Sequence, residues 1–178
     1  MKENPPRTPP TIPEYVRELD ERLGGLSPAA ARSRLGAFAK AQPEIRALFD
    51  AVREGWPEAE FPAEGFFYAY ALHGFLRDVL GADEPRHEVK DVLQAAETVD
   101  LRFRAAAGDT PCAVDDLGGL LFPNGSPVAG FGALWDRYLA DLLEDGLLDA
   151  DLGAALRKFY AVALLLADET ASLRPARI

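Results

Sequence analysis

The scarce reactive side chains of this chain are two histidines, His73 and His87, and one cysteine, Cys112. His73 lies in "GFFYAYALHGFL", Gly65 to Leu76, where five aromatic rings crowd around it. At about 100° per residue, a helix puts Phe66, Tyr70, His73 and Arg77 in one narrow sector. Tyr68, Ala69, Leu72, Phe75, Leu76, Val79 and Leu80 spread over the other side. This pattern admits two readings. In one, His73 sits at the edge of a core, and its nitrogens meet a carbonyl or water. In the other, Phe66, Tyr70, His73 and Arg77 line a ligand pocket. Arg77 then holds an anionic group, Tyr70 donates a hydrogen bond, His73 titrates or ligates, and phenylalanines form the walls. Haem bound through His73 belongs to this second reading, but no attachment motif calls for it and no cofactor is expected.

Metal and nucleophile chemistries find little support. Two histidines cannot supply a three-histidine zinc site. Helical di-iron bundles need two Glu-x-x-His motifs, and the one match, "EPRH" from Glu84 to His87, contains Pro85. The acidic run Asp141 to Asp151 fails as a calcium loop, because the twelfth position counted from Asp149 is Tyr160 rather than glutamate. No metal site is expected. Cys112 lies among Asp109, Asp115 and Asp116, and negative neighbours disfavour the thiolate. "NGSPVAG" lacks the strand-to-helix turn of a nucleophile elbow. "DDLGGLLF" and "ERLGGLS" lack the spacing and the lysine of a phosphate loop. No catalytic residue is nominated, and an enzyme is the least favoured class.

The second candidate region is the glycine- and proline-punctuated segment Gly108 to Gly130. Long irregular segments in compact domains are commonly functional. Asp115, Asp116, Phe122, Asn124 and Ser126 would close over a site as a lid. Alternatively, Leu120, Leu121 and Phe122 wrap the segment onto the core, and this is favoured because consecutive apolar residues want burial. Within it, "LLFPNGSPVAGF" reads as a short β-hairpin turning at Asn124-Gly125, confined to an edge by its prolines.

The elements that must carry these residues are helices. "PEYVRELDERLGG" starts at Pro13 and stops at Gly24-Gly25; "SPAAARSRLGAFAKAQ" has Ser27 as N-cap and Pro28 at N1; Pro43 opens "PEIRALFDAVREGW". The aromatic helix runs to about Gly81, and "HEVKDVLQAAETV" continues the series. Residues 99 to 104 alternate as a strand would, yet Val92, Ala96, Val99 and Phe103 continue a helical stripe; helix is favoured, with strand as the alternative. "FGALWDRYLADLLEDG" and a last helix capped by Asp149 form an antiparallel hairpin. In that last helix, Arg157, Lys158, Asp168 and Glu169 face away from the buried stripe. The expected fold is all-α: one domain of about seven helices over residues 14–174, with a disordered proline-rich tail at 1–13 and a short tail at 175–178. The aromatic helix and the last helix should be central, since both are apolar around most of their circumference.

Composition bounds the function. The 178 residues carry a net charge of −10, and 48% are hydrophobic. That suits a globular core. The acidic balance argues against general nucleic-acid binding. One cysteine permits no internal disulfide, "MKENPPRTPPTIP" lacks the apolar centre of a signal peptide, and the longest apolar run, Phe159 to Ala167, is too short for a bilayer. A cytoplasmic protein with no membrane contact is expected. The profile suits bacterial regulatory or accessory proteins by analogy. The leading reading is a non-enzymatic interaction module that binds itself or a protein partner, with Trp56, Phe61 and Phe131 as interface candidates. The alternative is a small-molecule or cofactor-binding bundle with its pocket near His73.

Overall fold

Local signals start the helices. The computed structural model describes residues 9–56, 64–82, 87–107 and 116–172. Glu14 accepts the Thr11 backbone N–H and hydroxyl at 2.8 Å each, starting α1 (Ile12–Gly24) one residue ahead of Pro13. The Ser27 hydroxyl caps α2 (Pro28–Ala41) through the Ala30 N–H at 3.3 Å, and α3 (Pro43–Gly55) opens on its proline. Next come α4 (Glu64–Asp78) and α5 (Val89–Ala107). The Ala82 N–H closes back on the Leu76 carbonyl beyond α4, through Gly81 at φ 57°. The chain finishes with α6 (Leu117–Leu121), α7 (Ala129–Glu144) and α8 (Ala150–Ser172), the last capped by Asp149 through the Leu152 N–H at 2.7 Å.

The described residues therefore hold eight helices and no strand, an all-α fold. Residues 99–104 are helical, inside α5. The expected β-hairpin is corrected. Asn124 and Gly125 do make a turn, with Gly125 at φ +84°, but it joins α6 to α7. Pro123 and Pro127 remove ladder donors on both sides of that turn. The Ser126 hydroxyl instead accepts the Val128 N–H at 3.1 Å and donates to Asp168 of α8 at 2.5 Å. Of the residues expected to wrap the segment onto the core, Leu121 and Phe122 are buried and Leu120 is partly buried against it.

α8 lies at the centre and packs against α3, α4, α5, α6 and α7. Every residue from Phe159 to Ala167 is buried, which accounts for the long apolar run. Burying a large apolar side chain contributes roughly 1.5–3 kcal/mol, so this run anchors the fold. Among the described residues, no helix is long and apolar enough to cross a membrane. The charges expected to face solvent on α8 are largely engaged: Arg157 bonds Asp136, Lys158 pairs with Asp100 at 2.7 Å, and Asp168 takes Ser126.

The Gly118-Gly119 pair has a packing role. A Cβ on Gly132 of α7 would strike the Gly118 nitrogen, and a Cβ on Gly118 would strike the Ala129 carbonyl. Only glycines let α6 and α7 approach this closely. Asp136 of α7 then accepts the Leu117 N–H at 2.6 Å and holds Arg157 at 2.8 and 3.1 Å. Of the proposed interface aromatics, Phe131 is wholly buried and edge-on to Phe75 at 5.5 Å; Trp56 is partly buried against the core, and Phe61 lies outside the described residues.

Candidate functional site

The aromatic sector of α4 meets α2 through one ring. Phe38 packs on Phe66 at 5.2 Å, on Tyr70 at 5.6 Å and on His73 at 5.2 Å between ring centres. Three of the four expected pocket residues thus share one neighbour. Arg77 does not join them. It is exposed and donates to its neighbour Asp78 at 2.7 Å, and Asp78 accepts the Tyr15 hydroxyl at 2.9 Å. That bond ties the end of α4 to α1. Gly74 permits it, because a Cβ there would lie 2.5 Å from the Tyr15 oxygen.

His73 is 2% exposed, and among the described residues neither of its nitrogens has a hydrogen-bond partner. His87, immediately before α5, turns its ring toward His73 with centres 6.0 Å apart and planes at 74°. Its Nε2 is also buried without a partner among the described residues. Burial lowers the His73 pKa to about 3, with His87 adding to the effect. Burial also lowers that of His87, against the opposing pull of Asp91. Both rings are neutral near pH 7. Each then offers one N–H and one lone pair.

His87 has a second role. With Lys40, Pro43, Glu44, Glu88 and Val89 it lines an open cleft of about 520 Å³ between the α2–α3 corner and the start of α5. Asp91 accepts the Glu88 N–H at 2.8 Å, and this fixes the first turn of α5 beside His87. His87 therefore stands between the cleft and the buried His73. Neither Phe38 nor the pairing of the histidines was foreseen from sequence. The available signal was that His73, within α4, and His87, just before α5, lie on either side of one connection between successive helices.

Asp116 is exposed before α6, its carboxylate over Gly119; Asn124 is exposed in the turn; Asp115 and Cys112 lie outside the described residues. Among the described residues no group of three or more His, Cys, Asp or Glu side chains is placed to hold a metal ion. No family model matches this chain, nor does any curated protein or solved structure.

Proposed function

We propose that this chain is a ligand-binding helical bundle, with its site at the paired imidazoles of His73 and His87 below the cleft that His87 lines. The observation that carries this reading is the His73 ring, 2% exposed with no partner for either nitrogen among the described residues. A buried polar group left unsatisfied costs about 1–3 kcal/mol. Leucine at the same place would avoid that cost, so the imidazole needs a reason other than folding. Phe38, Phe66 and Tyr70 supply apolar walls, and His87 connects the ring to the outside.

Native mass spectrometry of the purified chain, taken gently and then under denaturing conditions, tests this reading. The expected result is extra mass that disappears on denaturation and is missing from His73→Leu. A wild-type chain without added mass, whose imidazole proton resonances stay fixed when small-molecule extract or metal salts are added, would end the reading.

A second reading, self-association, is favoured by α5. Val89, Leu93 and Leu101 are 57%, 65% and 59% exposed. At about 100° per residue they fall within roughly a third of the helix circumference. Glu97 and Arg104, both exposed, lie in the same arc, and a second copy packed antiparallel would pair their opposite charges. Sedimentation equilibrium checks it. A dimer that Leu93→Asp dissociates is expected, and a monomer at high concentration would contradict it.

A further inference from the structure

We propose that the groove between α1, α4 and α7 is a second ligand site, and that it takes a free α-amino acid with an apolar side chain. It shares no residue with the His73–His87 site and stands independently of it. The groove encloses about 390 Å³, toward the small end of the range for ligand pockets, which favour the spaces between helices of a bundle. Val16 of α1, Phe67 and Tyr68 of α4, and Leu134 and Tyr138 of α7 line it, and all five are only partly buried. Hydrophobic burial is non-directional, so an apolar body that covers these side chains is stabilised there. The aromatic wall is already in place. Tyr68 and Tyr138 lie 5.1 Å apart between ring centres, and the wholly buried Trp135 backs them at 5.3 and 5.4 Å. A wall held from behind needs little ordering when a ligand binds.

Charge selects the ligand class. Two charged side chains line the groove, Arg17 and Asp20 of α1, both exposed. Three positions apart, they are neighbours on one helix face. Among the described residues neither forms a salt bridge. Glu14, the acid one turn before Arg17, is engaged by the Thr11 N–H and hydroxyl. The lining thus offers one cation and one anion side by side, next to an apolar floor. An apolar acid would pair with Arg17 but set its carboxylate against Asp20. An apolar amine would pair with Asp20 and be repelled by Arg17. A ligand that carries a carboxylate and an ammonium on one carbon, with an apolar side chain beyond it, matches all three features.

The test is a ligand-detected NMR titration of the full chain with four probes: L-phenylalanine, 3-phenylpropionate, phenethylamine and glycine. L-Phenylalanine should bind saturably. The acid and the amine, each lacking one charged group, should bind about 5-fold more weakly. Glycine, which lacks the apolar body, should give no saturable signal. Arg17→Gln should erase the advantage of L-phenylalanine over phenethylamine, and Asp20→Asn its advantage over 3-phenylpropionate. Both positions are exposed, so these variants keep the fold. Leu134→Trp, which fills the groove, should abolish binding. No saturable binding of L-phenylalanine would overturn the proposal. So would an acid or amine that binds as tightly as the amino acid, or binding indifferent to all three substitutions.

Discussion

Asp136 and His73 each carry a polar group below the surface, Asp136 where α6, α7 and α8 meet, and His73 where α4 faces α2 and the start of α5. The Asp136 carboxylate takes two bonds from Arg157 and one from the Leu117 N–H. His73 takes none from the described residues, and its near neighbours are Phe38 and a second neutral imidazole. A satisfied polar group specifies how elements meet; an unsatisfied one costs stability and points to a partner outside the fold. On the proposed reading, the contrast separates structural chemistry from functional chemistry in a chain without a catalytic motif.

Breaking the satisfied centre should have the largest effect. Asp136→Ala leaves the Leu117 N–H uncapped and Arg157 without this carboxylate, and should cost about 3 kcal/mol in urea unfolding. A loss under about 0.5 kcal/mol, the range of ordinary surface changes, would mean the network contributes little. Gly132→Ala tests the same centre through its backbone. The added methyl meets the Gly118 nitrogen and α-carbon, neither of which can yield as a side chain would. Overpacking of this kind costs about 1–3 kcal/mol. The melting temperature should fall by about 2–4 °C for each kcal/mol.

The unsatisfied centre has its signature in acid. His73 has its pKa lowered to about 3 in the fold, against about 6.5 in the unfolded chain. Above pH 6.5 the ring is neutral in both states, so its contribution is fully present. Below that, the unfolded chain binds a proton that the fold refuses. Stability should fall by about 1.4 kcal/mol for each pH unit as acid increases toward pH 3. Subtracting the profile of His73→Leu from that of the wild type isolates this slope; a flat difference would contradict the burial argument. His87→Gln should have the smallest effect. It removes a ring that helps to depress the His73 pKa, so the acid slope should end at a slightly higher pH. Stability at pH 7 should change by less than about 0.5 kcal/mol. An unchanged imidazole titration of His73 by NMR would show that the two rings do not interact.

How far sequence reached follows from the range of the interactions. Ser27, Pro28, Pro43 and Asp149 act within one helical turn, so their roles were legible from spacing alone. The run from Phe159 to Ala167 announced a central helix by composition. α6 was not legible. "LGGLL" is short and glycine-rich, and what supports it is the Asp136 carboxylate nineteen positions along and the bare glycine contact with α7. The Asn124-Gly125 turn was read correctly as a turn and wrongly as a hairpin, because turn chemistry is local and says nothing about what its flanks pack on. Arg157 was placed on the face away from the buried stripe, and its pairing with Asp136 was not legible, since nothing in a helical period shows that two faces meet. At the candidate site, grouping by helical angle put Phe66, Tyr70 and His73 together, and Phe38 does bridge them. The same angle put Arg77 with them, but its bond to Asp78 holds it in a chain of contacts leading to Tyr15. His87 arrives from another element, and only the fold reveals such a neighbour.

The central claim is that His73 is retained for something other than folding. Equilibrium urea unfolding of His73→Leu beside the wild type at pH 7 tests it most directly. The account predicts a midpoint at or above that of the wild type, because an unpartnered polar ring is exchanged for an apolar side chain of similar size. A midpoint lowered by about 1–3 kcal/mol would show that the imidazole is satisfied within the fold and belongs to its core.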